Sequence, residues 1–313
     1  MVRLSIIIVN WNSGKYLEQC LRSIFKNKPR FSFEIVVVDN NSTDQSLKSI
    51  EKYHTWIEII RNPTNMGLSK ANNIGINKTT GKYILFLNPD TEILPETLNK
   101  IVRYFEEHKK IGALGPKLLN INRSVQTSCH GFITLAQVLF EISTLDKLFP
   151  KNRVNKLILG KFLGSIFSNL LANYKEYNKI TKVNVVMGSC FLTSRATLED
   201  VGYFDEHFFL YHEENELCYR LWKKGLNCIY FPKVSVIHYN KQSTSKIPEI
   251  VFFERCKSLL YYFRKHYSKR VVSFKIIAMF AMMINILIGL IFNKKKKGVI
   301  KNRLHILAYL LRN

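Results

Sequence analysis

Four short apolar, β-branched runs, each halted by polar residues, set the strongest limit on what this chain can fold into. Leu4–Val9 stops at Asn10-Trp11-Asn12, and Glu34–Val38 stops at the cluster Asp39 to Asp44. Ile57–Ile60 runs into the loop carrying Asn65 and Gly67, and Lys82–Leu87 stops at Asn88-Pro89-Asp90. Helical patterns lie between: Tyr16, Leu17, Cys20, Leu21, Ile24 and Phe25 recur at helical spacing, and further helices are expected around Ser46–Tyr53 and Asn72–Asn77. Strands that are apolar throughout belong inside a sheet buried on both faces. Their alternation with helices implies a parallel sheet covered on both sides. Ligands of such sheets sit beyond the carboxyl ends of the strands, so the four polar clusters outline one site.

Several residues there carry chemistry. Asp39, at a strand end, is placed to accept hydrogen bonds from a base N–H or ribose hydroxyls; helix capping within Asn40–Asp44 is the alternative, and Asp44 suits that better. Asp90 offers a hard oxygen of the kind that Mg2+ and Mn2+ accept beside phosphate and water, although Asn-Pro-Asp also forms simple turns. Further on, "HEENE" places Glu213, Glu214 and Glu216 in the first turn of a helix. The helix dipole favours acids there by roughly 0.3–1 kcal/mol each, while crowding raises the pKa of at least one, as a general base requires. Cys228–His238 reads as a strand with an edge or bulge at Pro232; His238 at its end is either a metal ligand or a structural histidine. The glycines match neither a dinucleotide fingerprint nor a P-loop.

Residues 120–182 are apolar and basic and read as amphipathic helices, either ordinary packing or a lid or an acceptor-facing or membrane-facing surface. Strand character resumes over Val183–Thr193. Near the end, Val271–Phe292 is nearly all apolar, long enough for a bilayer, but Lys275 and Asn285 interrupt it. Arg264, Lys265, Lys269 and Arg270 precede it and Lys294–Lys297 follow. Basic flanks on both sides suit a helix lying in an anionic leaflet at least as well as a span.

The 47 Lys and Arg against 23 Asp and Glu give a formal charge of +24, which favours polyanions: a phosphorylated substrate, a membrane surface or nucleic acid. A binder of nucleic acid or membrane is the reading from charge alone, but no nucleic-acid module appears. The six cysteines form no C-x-x-C pair and read as free buried thiols of a reducing compartment. The N-terminal apolar run reads as a first strand and not as a signal peptide.

Taken in order, "SIIIVNWN", "EIVVVDNNSTD", "NPTNMGLSKANNIGI", "YILFLNPDT", "GSCFLTSRATLEDVGYFDEHFFLYHEENELCYRLWKKG" and "VSVIHY" resemble the inverting family 2 glycosyltransferases, most closely their rhamnosyltransferase-like branch, over about residues 3–240. The resemblance implies an α/β GT-A fold, a Rossmann-like mixed sheet with helices on both faces, over residues 1–245, with 120–182 as a helical acceptor or lid region and 246–313 as membrane-associating helices. It implies a divalent metal, Mg2+ or Mn2+, on Asp90 and His238. It implies a nucleotide-sugar donor, dTDP- or UDP-linked, held by Asn10, Trp11, Asn12, Asp39, Asn65 and Gly67. Glu214 would be the catalytic base, with Glu213 and Glu216 facing the acceptor or supporting it. The acceptor would be a glycan or lipid-linked saccharide of the bacterial cell surface, met at the cytoplasmic face of the membrane by a peripheral or C-terminally anchored enzyme. Nucleic acid is not among the implied partners. Two departures stand out: Glu214 replaces the usual Asp, and Ala71 replaces a usual glycine in what reads as a loop after Gly67. They leave open a degenerate protein that binds nucleotide sugar without turnover.

Overall fold

The computed structural model describes residues 2–143, 178–240, 247–292 and 297–312. The chain divides into two compact units, residues 1–130 with 176–246 and residues 131–175 with 247–313.

The first unit is built on a mixed sheet. Strands β1 (Leu4–Asn10), β2 (Phe33–Asp39), β3 (Glu58–Arg61) and β4 (Tyr83–Leu87) run parallel, in the spatial order β3-β2-β1-β4. Next come β5 (Thr91–Ile93), β6 (Ile111–Leu119), β7 (Val125–Gln126), β8 (Cys129–His130), β9 (Thr181–Val183), β10 (Val185–Val186), β11 (Cys190–Ser194) and β12 (Asn227–His238). The sheet continues past β4 as β11-β6-β12-β5, with β11 antiparallel to both neighbours. That antiparallel insertion makes the sheet mixed and turns the chain back over the carboxyl edge of β4.

Helices cover both faces because successive strand residues point to opposite sides. Ile6, Ile8, Ile35 and Val37 pack with Leu17, Leu21 and Ile24 of α1 (Tyr16–Lys26) and Leu98, Ile101 and Val102 of α4 (Thr97–Glu107); the short α2 (Ser46–Ser49) precedes β3. Val36 and Val38, offset by one residue, pack with Ala71 of α3 (Leu68–Lys78) on the other face. Ala71 therefore lies in a helix and not in a loop, which removes the concern its identity raised. Pro232 falls where β12 shifts register against β6, between Phe231 and Ser235. It marks a bulge, and β12 is not an edge, since it pairs with β6, β5 and β9. All six cysteines are buried and unbridged.

Where helices were expected over 120–182, the described residues hold β7, β8 and then α5 (Leu135–Ser143), which belongs to the second unit. Residues 144–177 of that stretch lie outside the described residues. In the first unit, α6 (Arg195–Val201) and α7 (Glu213–Lys223) follow β11. The second unit continues with α8 (Pro248–His266), α9 (Val271–Phe292) and α10 (Lys297–Arg312). Among the described residues one segment, Ser268–Ile288, is long and apolar enough to cross a membrane.

Candidate active site

The first polar clusters are zipped together at the ends of β1 and β2, where Asn10 and Asp39 are register partners. The Asn10 side chain is fully buried. Its amide donates to Asp39 Oδ1 at 2.7 Å, Ser42 Oγ at 3.0 Å and Ser46 Oγ at 2.9 Å. Asn10 is thus turned inward, and its place is beneath Asp39 instead of beside a ligand. Asp39 Oδ2 accepts from the Ser42 N–H at 3.0 Å, so each of its oxygens keeps capacity for another donor. Asp44, the better capping candidate, accepts from the N–H groups of Gly14 at 2.8 Å and Ser46 at 3.0 Å. Asn12, at φ 50°, accepts from the Thr43 N–H at 2.8 Å and the Asp44 N–H at 3.2 Å. Trp11 between them is half-buried.

The loop before α3 is fixed by Asn65, whose Oδ1 accepts from the Gly67 N–H at 3.1 Å. Asn40 ties it to β2, donating to the Gly67 carbonyl at 3.1 Å. The Leu68 N–H then donates to the Phe209 carbonyl at 2.7 Å, which anchors the segment leading into α7.

At the end of β4, antiparallel pairing of β12 with β5 places His238 opposite Thr91, and the Tyr239 N–H donates to the Asp90 carbonyl at 2.9 Å. This register brings His238 Nε2 to 3.3 Å from Asp90 Oδ1, with both side chains buried. Gln126 sets the imidazole. Its amide N–H donates to Asn120 Oδ1 at 3.0 Å, which turns Gln126 Oε1 toward His238 Nδ1 at 2.7 Å. This network assigns a proton to Nδ1 and leaves Nε2 as the ring nitrogen that faces Asp90. The Asn88 amide lies 3.5 Å from Nε2. An imidazole nitrogen thus faces a carboxylate oxygen across 3.3 Å, an arrangement that a shared cation satisfies. The imidazole held from behind by an amide carbonyl is the usual support of a metal-ligating histidine.

Asn88 also lines a cavity with Glu213, Glu214, Gly188, Phe86 and Leu68. Its backbone N–H donates to the Ser189 carbonyl at 3.0 Å, and a Cβ on Gly188 would lie 3.8 Å from Glu214 Cβ. The missing side chain at Gly188 leaves Glu214 open to this cavity. Tyr211 and His212 both adopt φ 67° just before α7, a costly conformation for residues with side chains, and the turn they make presents Glu213 and Glu214. Glu213 is buried; burial first, and then the charge and hydrogen bond of Glu214, push its pKa well above the ordinary carboxylate range. Glu214 Oε2 is enclosed without a protein partner. Glu216 has another place: its fully buried carboxylate receives Arg220, whose Nε lies 3.0 and 2.9 Å from its two oxygens. Arg220 also donates to the carbonyls of Val201, Gly202 and Tyr203 at 2.6 to 2.7 Å, locking α7 to the end of α6.

A family profile described as glycosyl transferase family 2 matches residues 5–202, most of the strands and helices just described. The chain belongs to glycosyl transferase family 2. This glycosyltransferase is 23% identical over 260 residues to the N-acetylglucosaminyl-diphospho-decaprenol L-rhamnosyltransferase of Mycobacterium tuberculosis, covering 78% of each chain. It is 28% identical over 244 residues to the low-salt glycan biosynthesis hexosyltransferase Agl10 of Haloferax volcanii, covering 75% of this chain and 66% of the relative. Its fold is similar to that of the mannosyltransferase PcManGT from Pyrobaculum calidifontis, solved with GDP-Man and Mn2+, at a TM-score of 0.56 and 15% identity, covering 99% of this chain and 85% of that one.

Four features of the candidate site left no mark in the sequence reading: the support from Gln126, the link through Asn88, the opening at Gly188 and the strained turn at Tyr211 and His212. Asn88 and His212 stand within quoted motifs, so their positions were visible and their roles were not. Gln126 carries no local signal, since its partner is 112 residues away.

Proposed function

We propose that this glycosyltransferase moves a sugar from a nucleoside-diphosphate donor to a hydroxyl of a lipid-linked or polymeric glycan, inverting the anomeric carbon, in the synthesis of a cell-surface glycan. The observation that carries the reading is the meeting of Asp90 with His238, joined through Asn88 to the cavity that holds Glu213 and Glu214. Glu214 takes the proton of the acceptor hydroxyl. That oxygen forms the new bond to the anomeric carbon as the bond to the diphosphate oxygen breaks on the opposite side, and the electron pair leaves with the nucleotide. Glu213 lies next to it, and burial together with the charge of Glu214 raises the Glu213 pKa well above the ordinary carboxylate range.

Asp90 and His238 are the residues that would hold a divalent cation, Mg2+ or Mn2+; it supplies positive charge to a departing diphosphate. The Mn2+ of the mannosyltransferase of similar fold supports this choice. Asp39, Trp11, Asn12, Asn65 and Gly67 flank the nucleotide, with Asn10 holding Asp39 in place. A dTDP- or UDP-linked hexose is the donor class, and the mycobacterial relative makes rhamnose the first sugar to try and a lipid diphosphate the first acceptor. We assign the enzyme to the cytoplasmic face of the membrane, where such an acceptor would meet a nucleotide sugar.

The test is transfer by Glu214→Gln with a panel of nucleotide sugars, read by product anomeric configuration and rate. Loss of roughly 10²–10⁴-fold with inverted product in the parent is expected. Near-normal turnover by the variant would remove Glu214 as the base.

A further inference from the structure

Helix α9 has two unlike faces. Val272, Ile276, Phe280, Met283, Leu287 and Leu290 recur every three or four residues and are 52% to 69% exposed. At 3.6 residues per turn they form a single apolar stripe, about 27 Å long at 1.5 Å per residue. Phe274, Ala278, Ala281, Met282 and Asn285 lie on the other face and are buried within the second unit. There Asn285 donates to the Ile142 carbonyl at 3.0 Å and accepts from Arg303 Nε at 3.0 Å. Arg303 in turn donates to Glu249 Oε2 at 2.6 Å and stacks its guanidinium over Phe252, 3.8 Å from the ring centroid. Asn285, one of the two polar interruptions of the apolar run, is thus the anchor that clamps α10 and α8 to the inward face of α9.

We infer that this unit docks on an anionic lipid leaflet with α9 lying in the membrane plane, its stripe in the lipid and its Asn285 face toward the protein, and does not cross the bilayer. This deepens the membrane-side reading given above and rests on it. Two observations choose the in-plane arrangement. Arg303 binds near the middle of α9, so α10 must travel with it, and α10 exposes Lys301, Asn302, His305 and Arg312. A span would carry those polar groups, with the Arg303–Glu249 pair, into hydrocarbon, where they are costly. A one-sided stripe with a polar remainder is instead the pattern of an interfacial helix. The lipid charge follows from the flanks: Arg264, Lys265, Lys269 and Arg270 are exposed at the start of α9, Lys294–Lys297 follow it in sequence, and the whole chain carries +24. Each such residue near a surface rich in phosphatidylglycerol adds attraction that salt weakens.

The full chain and a Phe280→Glu/Leu287→Glu variant, altered only on the exposed stripe, are mixed with vesicles of phosphatidylcholine alone or with added phosphatidylglycerol. The parent is expected to bind the anionic vesicles, less so in high salt, and the variant to bind at least about tenfold more weakly. Equal binding by both, no binding by either, or concealment of the stripe in a dimer by analytical ultracentrifugation would overturn the docking. A tag placed after Asn313 reads the orientation in spheroplasts of a bacterial expression host. In-plane docking leaves it protected from external protease until lysis, whereas its removal from intact spheroplasts would mean a span and overturn the in-plane arrangement. Donor-dependent transfer to a soluble acceptor analogue, measured on the same samples, separates the two readings: its absence from the parent sinks the active-site assignment and leaves the vesicle and tag results to judge the docking.

Discussion

The backbone of Phe209 occupies the space that a side chain on Gly67 would need: a Cβ there would meet the Phe209 carbonyl oxygen at 2.7 Å. The contact joins the loop after β3 to the turn before α7, so that strand-end loop and the turn that presents Glu213 and Glu214 are held as one wall. Gly67 sits at φ 83° and ψ 170°, a region almost reserved for glycine. Gly67→Ala should destabilise the protein by roughly 1–3 kcal/mol. Urea denaturation checks this, and a variant as stable as the parent would refute the tight approach.

Arg220 fixes α7 from its other side. With Glu216 fully buried, removing the guanidinium leaves a carboxylate without its counter-charge. Arg220→Ala is expected to cost roughly 3–5 kcal/mol, measured by the same titration, and to lower activity only through the loss of folded protein.

Glu213 gives a pH signature. The unfolded carboxyl ionises near its ordinary 4.5, while burial and Glu214 hold the native group protonated well above that. Between those values the native chain binds the extra proton, so stability from this group is complete below the unfolded pKa and falls as pH rises through the native one. Glu213→Gln removes the dependence. Its melting temperature relative to the parent should rise progressively as pH increases above the ordinary 4.5; a constant difference would show that Glu213 is already ionised.

Gln126 reaches the site only through His238. Gln126→Leu should leave the fold intact but let the imidazole turn, lowering Mn2+ affinity about 10–100-fold. Titration of Mn2+ followed by thermal shift measures it, and unchanged affinity would mean that the ring needs no such support.

These residues also mark how far the sequence could be read. The ends of β1, β2 and β4 were legible because apolar strands stop sharply at Asn10, Asp39 and Asn88, and the family motifs drew attention to Asp90 and Glu214. Side-chain direction was not: Asn10 looked like a ligand residue, yet hydrogen bonds to Ser42 and Ser46 turn it inward. Pairing between distant strands was equally hidden, since the insertion of β11 between β4 and β6 leaves no local mark. The carboxylate of Glu216 belongs to the same class, because an Arg four residues on could have been a solvated surface partner and proves to be the counter-charge of a fully buried acid.

The central claim is that Asp90 and His238 grip a divalent cation together with the diphosphate of the donor. Its most direct test is thermal unfolding of the parent, Asp90→Ala and His238→Ala, each with Mn2+, with UDP or dTDP, and with both. The account predicts that metal and nucleotide together stabilise the parent, by about 2.7 kcal/mol at a hundred times the dissociation constant, and that either substitution abolishes the metal-dependent part. Equal metal-dependent stabilisation of all three proteins would contradict it.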